Sequence, residues 1–452
     1  MSELLELAES VVGRARGGEE LEVYAARGHD TEVRAYDGDI ESLASATSAG
    51  VGVRVLLAGG EEGNRLGFAW AGSLEPQLVE AALVEARDNA AYATPDPHVV
   101  FATPDGVAAA ELDLWHPGFA STPTDEKVEM AIALERQVRG ADPRVRQVDS
   151  ADYGDGSVEV ALASTTGIRA ATRRTSAFLS VSAIAGEGSD TQTGSGFTVG
   201  RAASDLDPDK AAAEAVERSV RMLGSGKAKS GRCTVVFDPR VASTLLSVVS
   251  SALSGEAVVK GRSFFAGRTG EPVAAPSVTL VDDPTDARAY GAAAFDGEGL
   301  ACRRNVLIEG GVLRGFLYDT VAARRAGTTS TGSAVRGGFA GTPGAGCRAV
   351  VLQPGTLTLK EILAEVGEGL YVQSITGVHS GVNAVSGDFS VGAEGLMVRE
   401  GELAEPVREV TVASTLQKML LALLHVGGDV EWLPGIAAGQ TLAVGEMQLS
   451  GN

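Results

Sequence analysis

Apolar and polar positions along the first half of the chain repeat with two different periods. In MSELLELAESVVGRARGG, Leu4, Leu5, Ala8, Val11 and Val12 fall on one helical stripe, with Ser2 placed to cap the start and Gly17 and Gly18 to stop it. The runs at 21–28 (LEVYAARG) and 50–58 (GVGVRVLLA) read as strands. Residues 73–91, opening at Ser73, and residues 124–140 return to helical spacing, separated by a connector holding Pro95, Pro97, Pro104 and Pro117. From 145 to 199, short Val-, Thr-, Ser- and Ala-rich runs broken by Gly and Asp predict antiparallel strands joined by hairpins, and 207–223 predicts an amphipathic helix.

The small-residue segment GSGKAKSGR at 224–232 is the best boundary in the chain. A strand, CTVVFDP, follows it, and then residues 241–255 repeat with helical period without a single charged side chain. Val241, Leu245, Val248 and Ala252 share one face of that helix, while Ser243, Ser247, Ser250 and Ser254 follow one another on another. Such a serine face meets a polar cavity, a partner subunit or backbone groups; alternatively the serines bond back to the preceding turn of their own helix. The fold expected is α+β: an N-terminal domain of helices and mixed strands over 1–225, then a C-terminal domain over 226–452 dominated by antiparallel β-sheet.

Composition narrows the function. With 452 residues, 44% hydrophobic and 21% charged, the chain is globular in balance and exceeds what one core usually supports. No apolar run approaches the roughly 20 residues that cross a bilayer, and the start carries acidic residues where a secretory leader is basic, so a cytoplasmic protein with no membrane partner is expected. A net charge of −21 argues against nucleic acid, since the densest basic groups are the pairs Arg303–Arg304 and Arg324–Arg325. Cys233, Cys302 and Cys347 are far apart, form no CxxC pair and read as small core residues in a reducing compartment.

Candidate chemistry concentrates in GVHSGVNAVSGDFSVGAEG, 377–395, a backbone shaped by glycine rather than a helix and suited to a cleft wall. His379 there contacts substrate or a partner, or makes a structural hydrogen bond. Asn383 and Asp388 either form turns and caps or face a ligand. The five histidines, His29, His98, His116, His379 and His425, are isolated from one another, so no metal site can be read from spacing. G-x-S-x-G is absent, TTSTGS at 328–333 reads as a turn, and the glycine-rich 194–200 and 337–346 lack the lysine and strand–turn–helix setting of a phosphate cradle.

Several blocks of the second half carry a resemblance: KGRSFFAGRTGE at 260–271, DDP at 282–284, FDGEG at 295–299, FLYDTVAARRAGTTSTGSAVR at 316–336, and the 377–395 loop with its continuation MVREGELAEPVREVTVAS at 397–414. Together they resemble the C-terminal domain of the TldD/TldE (PmbA) family, two-subunit cytoplasmic metallopeptidases first described as modulators of DNA gyrase. The likeness is strong from Cys233 to the end and weaker before it. In TldD-type members a helix carrying HExxxH and a later cysteine hold zinc; counting back from the shared GRTGE block places those helix positions on Leu246, Ser247 and Ser251, and no cysteine follows Trp432. The resemblance is therefore to TldE, the subunit without the metal motif. It implies no cofactor in this chain, zinc in a TldD-like partner of a heterodimer, and a substrate class of unfolded or short peptides. On that basis Ser247, Ser251, His379, Asn383 and Asp388 are expected to face the peptide chamber. The alternative is a stand-alone homodimeric peptide-binding or regulatory protein; an adaptor directed at gyrase is suggested by the older family name alone.

Overall fold

The computed structural model describes residues 3–451, so the Ser2 cap lies outside the described residues. Six strands, β1 (Glu19–Tyr36), β2 (Asp39–Ala58), β3 (Asn64–Ala71), β4 (Val145–Ser164), β5 (Arg169–Ala185) and β6 (Gln192–Gly200), form one sheet in the order β3-β2-β1-β4-β5-β6. Every neighbouring pair is antiparallel. Four helices, α1 (Glu3–Val12), α2 (Pro76–Tyr92), α3 (Thr124–Ala141) and α4 (Pro208–Val220), cover one face.

Alternation along β1 explains that arrangement. Leu21, Val23 and Ala25 enter the core shared with α1 and α2, and Val33 and Ala35 enter the core under α3 and α4. The intervening Glu22 and Tyr24 therefore point to the opposite face, toward the second half of the chain.

Two expectations need correction. The strands expected at 21–28 and 50–58 run to 18 and 20 residues, joined by a tight turn at Asp37 and Gly38, whose φ angles of 54° and 82° suit a two-residue hairpin. The distal half of β2 hides from a periodicity reading because residues 39–48 are exposed on both faces. Helix 73–91 begins at Pro76; the Ser73 hydroxyl instead accepts from the Glu75 amide at 3.1 Å. The periodic segments at 124–140 and 207–223 form helices close to their expected ends.

After residue 230, strand β7 (Gly231–Phe237) pairs parallel with Gly369–Thr376 and antiparallel with Leu442–Ser450. The strands Asp388–Arg399 and Glu402–Thr415 continue the sheet, and Thr411–Ala413 pairs back onto Gln448–Ser450, closing it into a barrel. Helix α5 (Pro239–Ser251) packs Val241, Leu245, Leu246 and Val249 into the core on one face of these strands; Ile362 and Leu363 cover the other. A smaller four-stranded sheet uses Leu280–Asp282, Asn305–Glu309, Val312–Leu313 and Val350–Leu352. This architecture is α+β, and among the described residues the one parallel pairing of strands lies in the second half. Among the described residues no helix is long and apolar enough to cross a membrane.

Candidate functional site

The glycine-rich loop is built by its own short side chains. Gly377, in the left-handed region at φ 77°, starts a single turn, Val378–Gly381, and Val382 then bridges to Phe389. Asn383 closes a tight turn: its Oδ1 accepts from Val385 N at 2.8 Å and Ser386 N at 3.1 Å, and its carbonyl accepts from Gly387 N at 2.7 Å. The Ser386 hydroxyl donates to Asp388 Oδ2 at 2.6 Å, and Gly387, at φ 83°, lets its carbonyl accept from Leu416 N at 2.7 Å. Asn383 and Asp388 thus share one exposed turn. The exposed His379 makes no side-chain hydrogen bond among the described residues.

The serines of α5 mostly satisfy themselves. Ser247 Oγ donates to the Ser243 carbonyl at 2.9 Å, Ser250 Oγ to Leu246 at 2.6 Å and Ser251 Oγ to Val248 at 2.7 Å, the back-bonding pattern of serine inside a helix. Ser243 and Ser254 reach outward instead, to the carbonyls of Ala437 at 2.7 Å and Ala345 at 3.0 Å. Leu246 is a core residue, 3% exposed. No hydrogen bond joins Ser247 or Ser251 to His379, Asn383 or Asp388 among the described residues.

The densest chemistry sits where the first sheet meets the second half, and the sequence reading did not find it. Glu22 and Arg54 are cross-strand partners in the β1–β2 register, and Arg54 Nη1 lies 3.0 Å from both Glu22 oxygens. Arg336 reaches the same carboxylate from the second half and lies over the Tyr24 ring at 4.7 Å. All three charged side chains are at most 3% exposed. Burial pushes the Glu22 carboxyl up, but the two guanidiniums outweigh it and hold it below its ordinary value.

The acids of the DDP and FDGEG blocks hold this junction together through main-chain bonds. Asp282 Oδ1 accepts from the amides of Arg348 at 2.9 Å and Ala349 at 2.7 Å. Asp296 accepts from Glu298, Leu300 and Ala334 amides at 2.9, 3.0 and 3.0 Å. Glu298 Oε2 accepts from Thr320 N at 2.9 Å and Thr320 Oγ1 at 2.7 Å, while its Oε1 is buried without a partner. Burial, reinforced by Asp296 and Asp319, pushes Glu298 up to about 8. Against these residues lies a cavity of about 410 Å³, whose lining includes Tyr24, Leu162, Arg174, Phe295, Arg336 and Arg348. The signal available in sequence was the FDGEG block itself, two acids in a glycine frame.

None of this resembles a nucleophile or a metal centre. Burial pushes all three cysteine thiols up, Cys302 to about 12. Among the described residues no group of three or more His, Cys, Asp or Glu side chains is placed to hold a metal ion.

Set beside known proteins, the chain falls among the metallopeptidases. Residues 21–91, 117–223 and 230–451 match, in order, the models of PmbA/TldA metallopeptidase domain 1, central domain and C-terminal domain. Metalloprotease PmbA of Escherichia coli O157:H7 is 30% identical over 417 residues, 92% of this chain and 88% of that one. A solved putative modulator of DNA gyrase from Thermotoga maritima superposes with a TM-score of 0.90 at 25% identity, covering 98% and 99% of the two chains. TldE from Thermococcus kodakarensis has the same fold, with a TM-score of 0.88 at 24% identity over 99% of each. The chain belongs to the PmbA/TldD metallopeptidase family. At the α5 positions on which the resemblance places a metal motif, Leu246 is packed in the core and Ser247 and Ser251 are bonded to their own helix, so these three side chains supply no imidazole or carboxylate donor.

Proposed function

We propose that this chain is the metal-free, TldE-like half of a two-chain cytoplasmic peptidase, in which a TldD-like partner carries the zinc and this half helps to shape the peptide chamber. The observation that carries the reading is the donor set: α5 presents leucine and serine where imidazole and carboxylate are required, and no other three-donor group exists among the described residues. Peptide as the substrate class has physical support. β3 covers β2 only over Val51–Ala58, so residues 39–50 present main-chain donors and acceptors without a neighbouring strand on that side. An extended chain held there gains roughly 1 kcal/mol net per hydrogen bond regardless of side chain. The exposed 377–388 turn, with His379, Asn383 and Asp388, offers further contacts to substrate or partner.

The test is purification of the chain alone and with a TldD-like chain, with metal analysis, size-exclusion chromatography and hydrolysis of short peptides. Mixed dimers with about one zinc per pair, and turnover only in the mixture, are expected. Stoichiometric zinc and chelator-sensitive turnover in the single species overturn the reading. A homodimer that ignores the second chain assigns the protein instead to stand-alone peptide binding.

A further inference from the structure

Two cavities adjoin over β4 and β5. The first, about 410 Å³, is the one at the junction of the two halves. The second, about 490 Å³, is walled by the 110–115 segment and the middle of β5. They share Leu114, Val160, Ala171 and Thr172 in their linings, and because Ala171 and Thr172 point to opposite faces of the sheet the two cavities meet around the edge of β5; each lies within the size range of small-ligand sites.

Their charges are of opposite sign. In the first, the exposed Arg174 makes no hydrogen bond or ion pair among the described residues. The Arg348 guanidinium donates one bond, from Nη2 to the Ala334 carbonyl at 3.1 Å, and its buried Nε has no partner among the described residues. Arg336, in the same lining, shares the single carboxylate of Glu22 with Arg54. The acid in that lining, Asp296, already accepts three amides, and the neighbouring Glu298 is held neutral near pH 7 by burial. In the second cavity Glu111 and Asp113 make no hydrogen bond or ion pair among the described residues. Glu159 is engaged by Arg27 at 3.2 Å, and the Arg173 guanidinium lies over Trp115 at 4.8 Å. Between the two ends β6 leaves β5 without a neighbouring strand before Ala177; the Thr175 amide there donates to the Leu114 carbonyl at 3.0 Å, so the uncovered edge is the stretch 169–174.

Two adjoining cavities, one cationic and one anionic, with an uncovered strand edge between them complement one kind of molecule. We propose that this cleft binds a short peptide with both termini free, its carboxylate on Arg174 and Arg348 and its ammonium toward Glu111 and Asp113. The proposal rests on the peptide-handling role above and deepens it: the ligand is recognised by its free ends, the chemistry of a hydrolysis product or a very short substrate, and side-chain identity matters little. Guanidinium and carboxylate pair through two parallel charge-assisted bonds, so the carboxylate end contributes most.

Calorimetric titration of the chain alone tests this with trialanine, its C-terminal amide, its N-acetyl derivative and inorganic phosphate. Trialanine is expected to bind, the amide to bind about tenfold or more weakly, and the N-acetyl form to be weakened by a smaller factor. Arg174→Ala, at an exposed and unpaired position, is expected to weaken trialanine to the level of the amide and to erase the difference between the two; Asp113→Asn is expected to erase the difference between trialanine and its N-acetyl form. Equal binding of acid and amide to the native chain overturns the proposal. So does displacement of trialanine by phosphate at equal ionic strength, which defines a general anion site. Thermal unfolding of each variant, unchanged, confirms that binding rather than folding was altered. Because no partner chain and no turnover enter the measurement, failure here leaves the two-chain reading standing, and failure of that reading leaves this measurement intact.

Discussion

Replacing Glu22 by Gln isolates the electrostatics of the junction. The native carboxylate is 1% exposed and is the acid paired with both Arg54 and Arg336, whose Nε atoms, with Nη1 of Arg336, already lack partners. Glutamine keeps the shape and removes the charge, so two buried guanidiniums are left facing each other around a neutral amide. Breaking a buried pair in this way costs about 3–5 kcal/mol, most of it the penalty of the uncompensated charge. Arg336→Met is the informative companion, because Glu22 then keeps Arg54 at 3.0 Å and no charge is stranded; its cost is expected to be clearly smaller. Urea unfolding followed by circular dichroism reads both, with the first transition compared, since a chain of 452 residues need not unfold in one step. A loss below about 1 kcal/mol for Glu22→Gln, or an equal loss for Arg336→Met, refutes the reasoning.

Three further outcomes follow from the same geometry. Leu246→His, the first step toward a metal motif on α5, places an imidazole at a position 3% exposed and is expected to cost about 2–5 kcal/mol without conferring zinc binding, as read by unfolding and metal analysis. Gly387→Ala forces a side chain onto a backbone at φ 83° and is expected to cost about 1–2 kcal/mol, with faster amide exchange at Leu416, whose N–H bonds the Gly387 carbonyl; unchanged protection at Leu416 sinks it. Glu298 sets a pH dependence of definite sign: raised to about 8 in the fold from 4.5, it holds its proton longer folded than unfolded, so its contribution is full below about pH 4.5 and is lost as pH rises toward 8. The slope approaches about 1.4 kcal/mol per pH unit in that window, and Glu298→Gln should flatten it in unfolding titrations. Glu22, lowered in the fold, works oppositely: its contribution is present above the ordinary carboxylate range and is lost as pH falls through its depressed value.

Elements with one buried face were legible, because burial imposes a period. The helix at Thr124–Ala141 differs from its expected end by one residue, and β4, β5 and β6 lie where the Val- and Thr-rich runs predict strands. The distal β1–β2 hairpin was not legible, since residues 39–48 bury nothing and leave no apolar alternation to read. The junction was hidden for a different reason: Glu22 meets Arg54 across 32 residues and Arg336 across 314, and no local spacing reports a contact that only the tertiary fold makes. Of the 377–395 stretch, 377–387 is the turn backbone expected, and its Asn383 turn follows from side chains that bond their own main chain, whereas 388–395 lies in the strand Asp388–Arg399, whose glycines masked its alternation. Along 243–254 the serines separate by direction, three bonding back within α5 and two, Ser243 and Ser254 just beyond its end, outward, which helical spacing alone does not distinguish.

The buried charges and the glycines of β2 answer the same structural problem. The segment that carries Arg336 continues over the first sheet, where a Cβ on Gly52 would lie 2.3 Å from the Phe339 carbonyl and one on Gly50 would lie 2.5 Å from the Phe339 ring. Only glycine permits that approach, and the approach in turn excludes water from the Glu22 carboxylate and makes its pairing with Arg336 obligatory. Asp282 and Asp296 anchor the same 334–348 segment within the second half by accepting from the amides of Arg348 and Ala334. The blocks DDP, FDGEG and AVR, which carry the family resemblance, are thus drawn together by one requirement, the seating of the 334–348 region on the face of β1 and β2, and the cavity lined by Arg174, Arg336 and Arg348 is the space which that seating leaves open.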